Sequence, residues 1–404
     1  MSFPVVRGWR SVFPGRRLAA LLVAYALLSV ATEAYSRALP LLVRAVGVPV
    51  AALGLAESLA AGAEAVVSTP LGVLADRVDR PTVAGLAGLG LAALLTVLGT
   101  VGLTSSLGLV AIVVAIAVVR LAFSNSVTPL VESTLGDQSG TGWGFYGAAV
   151  YLGGAVGLGL ASVVIGPTLT LPVRFVFLAV VPALVAAVVA LWWECPPVRP
   201  TVGAPDWTEW AGVPRLDPLG AIRQISRPRA LVGICAADAV VTVATSGSLF
   251  LLPLLAVDIG LRADIFLLGL GSSFLAGAAL SLIGGWLADR VHSKVVYVTN
   301  FVAETAMLAA FALADGAMLF AIGIGLYTVQ TAFESGYIDY FFSLFTDDEA
   351  GRVWGINGTV NKVAGAIGPA GGGILYGLDP HLPFAVGAAL LATGTAIAWT
   401  LPAE

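Results

Sequence analysis

Charged residues that interrupt long apolar segments are the groups in this sequence that could do chemistry. A charge at the centre of a bilayer costs about 2.5–3.5 kcal/mol on insertion scales, so such residues face a partner or a polar cavity and mark solute or proton pathways. A buried carboxyl group can exchange a proton, and a base can hold an anion. Seven acids and three bases fall inside predicted spans: Glu33, Glu57, Glu64, Asp238, Glu304, Glu334 and Asp339, with Arg37, Arg120 and Lys362.

Three of these charges form the predicted centre of a site for substrate and protons. Glu33, Arg120 and Lys362 lie nearest the middle of their predicted spans. Glu33 and Arg37 are four residues apart, a spacing that places them on one helix face and favours an ion pair. We expect the Glu33 carboxylate to alternate between a base, either Arg37 or Arg120, and a proton.

Five further acids extend this predicted site, whereas Glu304 in the ninth span is expected to have a structural role. Glu57 and Glu64 are seven residues apart and share one face of the second span. Asp238 in the seventh span and Glu334 with Asp339 in the tenth span fall in the same half of the bilayer. We expect these three acids to line an inner vestibule or a gate.

The composition places the chain among integral membrane proteins. Of its 404 residues, 58% are hydrophobic and 11% are charged, whereas soluble domains carry about 25% charged residues. A helix of about 20 residues crosses a hydrocarbon core and satisfies its own backbone hydrogen bonds. The sequence predicts an all-α membrane protein with twelve transmembrane helices, near 18–43, 50–74, 83–102, 107–131, 143–166, 174–193, 230–256, 265–288, 295–314, 318–343, 353–377 and 383–402.

The distribution of basic residues predicts the orientation of these spans. Fourteen Lys and Arg residues fall in one set of loops and at the N-terminus, whereas the opposite loops and span ends hold Arg44, Arg174 and Arg262. Loops rich in Lys and Arg stay in the cytoplasm. We therefore expect a multi-pass protein with both termini in the cytoplasm, and the basic N-terminus favours a plasma membrane.

The two halves of the sequence repeat each other. Val30–Thr32 recurs as Val243–Thr245, and Pro40 recurs as Pro253, both at an offset of 213 residues. An ordered series of matches at one offset indicates duplication with both copies in the same orientation. Such parallel repeats place a site at their interface, near the middle of the bilayer.

The repeat also predicts the domain organisation. Trp143 and Trp354 continue the series of matches at an offset of 211 residues, and Tyr151 and Lys362 lie at the same offset. Because these two residues differ, Lys362 does not belong to the common scaffold, and both residues join the predicted site. A segment rich in Pro, Trp and Arg separates the halves. The predicted division is an N-terminal six-helix bundle over 1–193, a cytoplasmic linker over 194–229 and a C-terminal six-helix bundle over 230–404.

The loops after the second and eighth spans share one pattern of charge. Each has a glycine, an acid four residues later, a base directly after the acid and a further base nearby. The residues are Gly72, Asp76, Arg77 and Arg80 in the first copy and Gly285, Asp289, Arg290 and Lys294 in the second. This pattern resembles the signature loop of the major facilitator superfamily, although Asp79 and His292 stand where that family carries a second glycine.

The resemblance implies a fold and a mechanism. It implies two six-helix bundles related by a pseudo-twofold axis that rock about a central site, which is alternating access. It further implies that Asp76 lies against the N-terminal end of the eleventh span and stabilises the outward-facing state, since an anion there contributes about 0.3–1 kcal/mol. Arg77 would then pair with Glu132 at the end of the fourth span.

A second resemblance bears on coupling. In the eleventh span, Gly355, Ala364 and Gly368-Pro369 have a spacing similar to the proton-coupled antiporter signature, and Arg120 stands where drug:proton antiporters carry an arginine. Gly368 and Pro369 are therefore expected to form a bend used in gating. The resemblance favours a proton-coupled exporter of organic cationic or amphiphilic compounds.

Other functions remain open on the sequence. Arg37, Arg120 and Lys362 would also suit a symporter or facilitator for an anionic metabolite, and a membrane receptor or a channel is an alternative of another class. The sequence has no nucleophile–base pair, metal cluster or phosphate-binding loop, so we expect neither an enzyme nor a cofactor. The expected partners are a small solute, protons and the lipid bilayer, with no nucleic acid, and the expected state is a monomer.

Overall fold

The computed structural model of the protein is helical in almost every part that it describes. The described residues contain helices, turns and short loops, and no strand occurs among them. They are 16–103, 105–135, 139–166, 172–196, 226–288, 291–331, 333, 340–341, 343–345 and 347–402.

The first half of the chain forms six spans from seven helices. The sixth span consists of two helices that meet at Val180. The observed bounds agree with the first six predicted spans to within a few residues. The helices are α1 (Arg16–Ala45), α2 (Val50–Val78), α3 (Arg80–Val101), α4 (Ser106–Leu135), α5 (Ser139–Ile165), α6 (Phe175–Ala179) and α7 (Val181–Glu194).

The second half repeats this order, with one broken helix at its start. A 3-10 turn, Leu249–Leu251, separates two α-helices that together form the seventh span. The helices are α8 (Pro228–Ser248), α9 (Leu252–Asp258), α10 (Ala263–Ala288), α11 (Ser293–Ala312), α12 (Ala317–Gln330), α13 (Asp347–Leu378) and α14 (Leu382–Thr400).

Ten spans within the described residues are long and apolar enough to cross a membrane. The other two predicted spans correspond to α12, a helix of 14 residues, and to α13, which carries several polar and charged residues. Much of 331–343, the rest of the tenth predicted span, lies outside the described residues. The prediction of an all-α protein with twelve spans in two related bundles is confirmed. Ten spans are long apolar helices, and α12 and α13 occupy the positions of the other two.

The repeat seen in the sequence recurs in the packing of glycines. A Cβ atom at Gly157 of α5 would overlap the carbonyl oxygen of Val30 in α1. A Cβ atom at Gly368 of α13 would overlap the carbonyl oxygen of Val243 in α8. Val30 and Val243 are the repeat-related residues, so both halves use the same close helix approach, which only a small residue permits.

Two helix pairs join the halves. Helix α5 lies along α10, and α2 lies along α13. The second pair approaches so closely that a Cβ atom at Gly54 would overlap the carbonyl oxygen of Pro369. The predicted domain boundaries stay a prediction, since residues 197–225 of the linker lie outside the described part of the chain.

The ends of the helical bundle are named by the course of α1. The proximal end holds Arg16, where α1 begins, and the distal end holds Ala45, where α1 ends. Successive spans alternate in direction, so α9 also ends at the distal end and α10 begins there.

The two halves are in contact at the distal end. Arg44 in α1 forms an ion pair with Asp258 in α9, and the Tyr376 hydroxyl donates a hydrogen bond of 2.5 Å to the same carboxylate. The Ser162 hydroxyl of α5 donates to the carbonyl oxygen of Asp264 in α10 at 2.8 Å. These polar contacts join the halves at the distal end, and α5 and α10 also approach each other near the proximal end, where Cβ atoms at Gly144 and Gly147 would lie 3.7 Å and 3.6 Å from Leu282 and Ser281.

Candidate transport site

Glu33 lies where both halves of the protein meet. Its Cγ atom would be 3.1 Å from a Cβ atom at Gly154 of α5, and the same Cβ atom would overlap the ring of Phe274 in α10. The absence of a side chain at Gly154 therefore lets α1, α5 and α10 approach each other at this point. The Glu33 side chain is 25% exposed, so it reaches both the helix interface and open space.

Glu33 and Arg37 form the predicted ion pair, but with incomplete hydrogen bonding. The Arg37 Nε and Glu33 Oε2 atoms are 3.8 Å apart. Within the described residues, both of these buried atoms have no hydrogen-bond partner. A buried carboxylate oxygen without a donor is costly, and a proton or a cationic ligand would relieve that cost.

Arg120 pairs with Glu64 in this structure. Arg120 Nη2 in α4 lies 3.0 Å from Glu64 Oε1 in α2. Glu57 lies on the same helix as Glu64, and Lys362 lies on α13, the helix of the second half that packs along α2. The structure thus forms two ion pairs, Glu33 with Arg37 and Glu64 with Arg120.

Tyr151 belongs to an aromatic row beside Glu33. Its ring packs edge-to-face on Phe274 with centroids 5.4 Å apart, and Phe274 continues to Tyr327 in α12 at 6.2 Å. Aromatic rings offer a negative face to cations. The row lies at the same helix junction as Glu33, because Phe274 contacts Gly154.

Asp238 lies inside the C-terminal half rather than along an open vestibule. Its side chain accepts hydrogen bonds from the Tyr297 hydroxyl at 2.8 Å and from the Asn357 amide at 2.9 Å. The residue is only 4% exposed. It therefore joins α8, α11 and α13 by hydrogen bonds from neutral donors.

Several residues of the predicted transport site and gating loops lie outside the described part of the chain. Glu334, Asp339, Asp289 and Arg290 lie outside the described residues. The backbone of α2 passes through Asp76 and Arg77, that of α4 through Glu132 and that of α10 through Gly285, but the side-chain surroundings of these four residues are also outside the description. Their predicted roles in gating stay predictions.

The described part of the first signature loop shows how Asp79 replaces a glycine. Asp79 has a positive φ of 148°, in the region that favours glycine. Its carboxylate accepts hydrogen bonds from the Thr82 amide at 3.1 Å and from the Thr82 hydroxyl at 2.8 Å, so it caps α3. Arg80 lines a cavity of about 460 Å³ at the proximal end, and Gly72 faces open space.

The second signature loop makes a contact within its own half. The Lys294 ammonium donates to the carbonyl oxygens of Trp399, at 3.1 Å, and Leu401. A cation at the C-terminal end of a helix satisfies its last carbonyl groups, so this contact stabilises the end of α14. The predicted bend at Gly368 and Pro369 lies inside the continuous helix α13 and packs against both α8 and α2.

Sequence reasoning missed the distal contacts and the glycine at the helix junction. Arg44 was used only to predict orientation, and Asp258 ends a span at the equivalent place in the second half. The repeat therefore carried a signal for this pair. No sequence signal singled out Gly154, because its role depends on which side chains face it from α1 and α10.

The fold and the charges together define a class of protein. Repeated helical bundles that meet around embedded charges are typical of membrane transporters. The chain belongs to the Major Facilitator Superfamily, whose family model matches residues 21–369. No curated protein sequence matches the chain at a significant level.

Solved transporter structures share this fold. A bacterial homologue of the human lysosomal transporter Spinster, inward-facing and occupied, is 13% identical with a TM-score of 0.72, and 95% of each chain is covered. A point mutant of the nucleoside transporter NupG is 11% identical with a TM-score of 0.72, covering 96% of this chain and all of that one. The human organic anion transporter MFSD10 is 17% identical with a TM-score of 0.64, covering 95% and 99%.

Proposed function

We propose that this protein is a proton-coupled secondary transporter that exports organic cations or cationic amphiphiles by alternating access. Glu33 is the group that exchanges between Arg37, a proton and the substrate. The two termini lie in the cytoplasm, the protein acts as a monomer, and its membrane is a plasma membrane.

The observation that carries this proposal is the surroundings of Glu33. The carboxylate lies at the junction of both halves, beside the Tyr151–Phe274 aromatic pair. One of its oxygens has no hydrogen-bond partner within the described residues. A proton or an organic cation would each supply what this oxygen lacks, and the two would compete for it, as exchange transport requires.

The polar contacts that join the halves at the distal end favour an inward-facing state. Under the proposed orientation the distal end is extracellular, because the loops there carry few basic residues. The Arg44–Asp258 pair and the Ser162 hydrogen bond both join the halves at that end. The Spinster homologue of similar fold was itself solved in an inward-facing conformation.

Transport by proteoliposomes with an imposed pH gradient tests this function. A panel of labelled organic cations is offered to the wild type and to Glu33→Gln. We expect the variant to lose gradient-driven accumulation by roughly tenfold or more, a factor that corresponds to about 1.4 kcal/mol. Exchange of labelled for unlabelled substrate should also fall, because the substitution removes the carboxylate that binds the cation.

The control for this assay is Asp379→Asn. It makes the same change from acid to amide at a carboxylate in the loop between α13 and α14, where Asp379 is paired with His381. This variant should accumulate substrate like the wild type. Undiminished gradient-driven transport by Glu33→Gln would refute the role of Glu33.

A second candidate is transport of an organic anion. Arg37, Arg120 and Lys362 are three bases close to the interface of the halves, and MFSD10, which shares the fold, is an organic anion transporter. Substrate charge separates the two candidates. Thermal stabilisation by carboxylates but not by organic cations would favour transport of an anion.

A further inference from the structure

Arg37 connects the two halves through a backbone carbonyl group. Its Nη1 atom donates a hydrogen bond of 2.9 Å to the carbonyl oxygen of Leu249. Arg37 belongs to α1 in the first half, whereas Leu249 begins the 3-10 turn between α8 and α9 in the second half. The Arg37 side chain is 11% exposed, so this bond is largely shielded from solvent.

The carbonyl group is available because of a proline. In a regular α-helix, the amide of residue 253 would donate to the carbonyl oxygen of Leu249. Pro253 has no N–H, so the only backbone donor to the Leu249 carbonyl oxygen in the helix is the amide of Leu252, three residues later, in a 3-10 hydrogen bond. A carbonyl oxygen has two acceptor lone pairs, and the second accepts from Arg37.

The bond has no counterpart in the repeat. Phe250 stands at the position equivalent to Arg37, at the offset of 213 residues. Its side chain has no donor, so the second half cannot return the bond to α1. This bond to the carbonyl group of Leu249 is therefore a feature of Arg37 and not of the repeated scaffold.

Glu33 competes for the same guanidinium group. Its carboxylate lies 3.8 Å from Arg37 Nε, one helical turn away. The described contacts of Glu33 from α5 and α10 are the uncharged residues Gly154 and Phe274. Both contacts are present in this structure, through Nη1 to Leu249 and Nε to Glu33. We expect an ionised Glu33 to draw Arg37 into hydrogen-bond distance and away from Leu249, whereas a Glu33 neutralised by a proton or a cationic ligand leaves Arg37 to the carbonyl oxygen.

We infer that Arg37 is a gating residue whose bond to Leu249 holds the distal end closed and reports the charge of Glu33. The inference rests on the proposed alternating access and deepens it, because it names the contact that couples the site to the gate. The more exposed Arg44–Asp258 pair lies at the distal end beyond it.

Distance measurements between spin labels at the distal end test this inference. Leu107, at the start of α4, and Leu313, at the end of α11, are exposed and belong to opposite halves. Each is replaced by Cys and labelled, in a background with Cys195→Ser and Cys235→Ala. The measurement uses the full chain in nanodiscs, without substrate.

Removal of the donor should open the distal end. For Arg37→Gln we expect the ratio of long-distance to short-distance populations to rise by at least roughly tenfold, as expected for loss of a buried hydrogen bond from a charged group. Arg37→Lys, which retains the charge but not the planar group of donors, should give a smaller rise. Glu33→Gln should shift the ratio in the opposite direction.

The matched control is Arg262→Gln. Arg262 also lies at the distal end, but it pairs with Asp264 two residues away in the same half. Its substitution should leave the distances unchanged. Wild-type distances in both Arg37 variants, or an equal shift in Arg262→Gln, would overturn the inference.

The outcome is separable from that of the proposed function. The distances are measured without substrate or gradient, whereas the role of Glu33 in coupling is measured by transport. Normal transport by Glu33→Gln, together with an opened distal end in Arg37→Gln, would refute the role of Glu33 in proton coupling but support the role of Arg37 in gating. Loss of gradient-driven transport in Glu33→Gln, together with wild-type distances in Arg37→Gln, would support the role of Glu33 in coupling and refute the role of Arg37 in gating.

Discussion

The N-terminal and C-terminal halves hold their membrane-embedded acids in different ways. In the N-terminal half, Glu33 lies beside Arg37 and Glu64 beside Arg120, and all four side chains retain some exposure. These acids therefore have a charged partner and access to open space. The acid or the base of each pair can therefore change its partner without becoming a fully buried, unpaired charge.

In the C-terminal half, the two buried acids among the described residues, Asp238 and Glu304, accept hydrogen bonds from neutral donors. Asp238 accepts from a tyrosine and an asparagine. Glu304 accepts from the amide groups of Asn300, at 3.4 Å, and Gln330, at 3.1 Å, and is likewise buried. Except for the bond between Asn300 and Glu304, which lie on the same helix, these hydrogen bonds join different helices of the half and stabilise it as one body.

The difference separates mobile charge from structural charge. An acid paired with a base changes partner when it takes up a proton, and this suits a site that must report its ligand. A buried acid fixed by neutral donors loses those bonds when it moves, and this suits a helix junction. We therefore expect charge changes to alter transport in the first half and stability in the second.

The largest effect on stability is expected for Asp238→Ala. A buried donor that loses its acceptor costs about 1–3 kcal/mol, and Tyr297 and Asn357 each lose a bond. Thermal unfolding of the purified protein should show a clear fall in the midpoint. Asp238→Asn, which retains a carbonyl oxygen, should fall less. An unchanged midpoint for Asp238→Ala would remove the structural role and with it the contrast between the halves.

A smaller and equal effect is expected where the halves are alike. Gly157→Ala and Gly368→Ala each introduce a Cβ atom against the repeat-related carbonyl groups of α1 and α8. Overpacking of this kind costs about 1–3 kcal/mol for a well-packed site. Gly159→Ala and Gly371→Ala, where a Cβ atom meets open space, are the matched controls. Unequal losses of stability for Gly157→Ala and Gly368→Ala would show that the shared helix packing does not contribute equally to the stability of the two halves.

The smallest effect is expected for the pair of Glu64 and Arg120. A double-mutant cycle with Glu64→Gln and Arg120→Gln should give a coupling energy of about 0.2–1 kcal/mol, because the Arg120 side chain is 45% exposed and such pairs are weak. Unfolding in detergent provides the measurement. A coupling above that for Asp238 with Tyr297 would reverse the comparison.

Much of the fold follows from local features of the sequence. The apolar runs predicted ten of the twelve spans to within a few residues, since a helix is the structure that satisfies its own backbone in lipid. The break in the seventh span was not predicted, although Pro253 matches Pro40 in the repeat. Helix α1 remains continuous through Pro40, so the proline alone does not determine a break.

The candidate site was predicted only in part. The pairing of Glu33 with Arg37 follows from a spacing of four residues on one helix. The pairing of Arg120 with Glu64 joins two helices, and sequence reasoning instead assigned Arg120 to Glu33. Which side chains meet between helices depends on the rotation and crossing of each helix, and hydropathy carries no information on either.

The sequence by itself determined the spans, the repeat and the family, because hydropathy, charge distribution and motif spacing are properties of neighbouring residues. Only the tertiary structure decided that Arg37 reaches the carbonyl group of Leu249 and that Gly154 brings α1, α5 and α10 together. These contacts join residues far apart in the chain. They form because small residues let particular helix faces approach each other, and that approach results from the packing of the whole bundle.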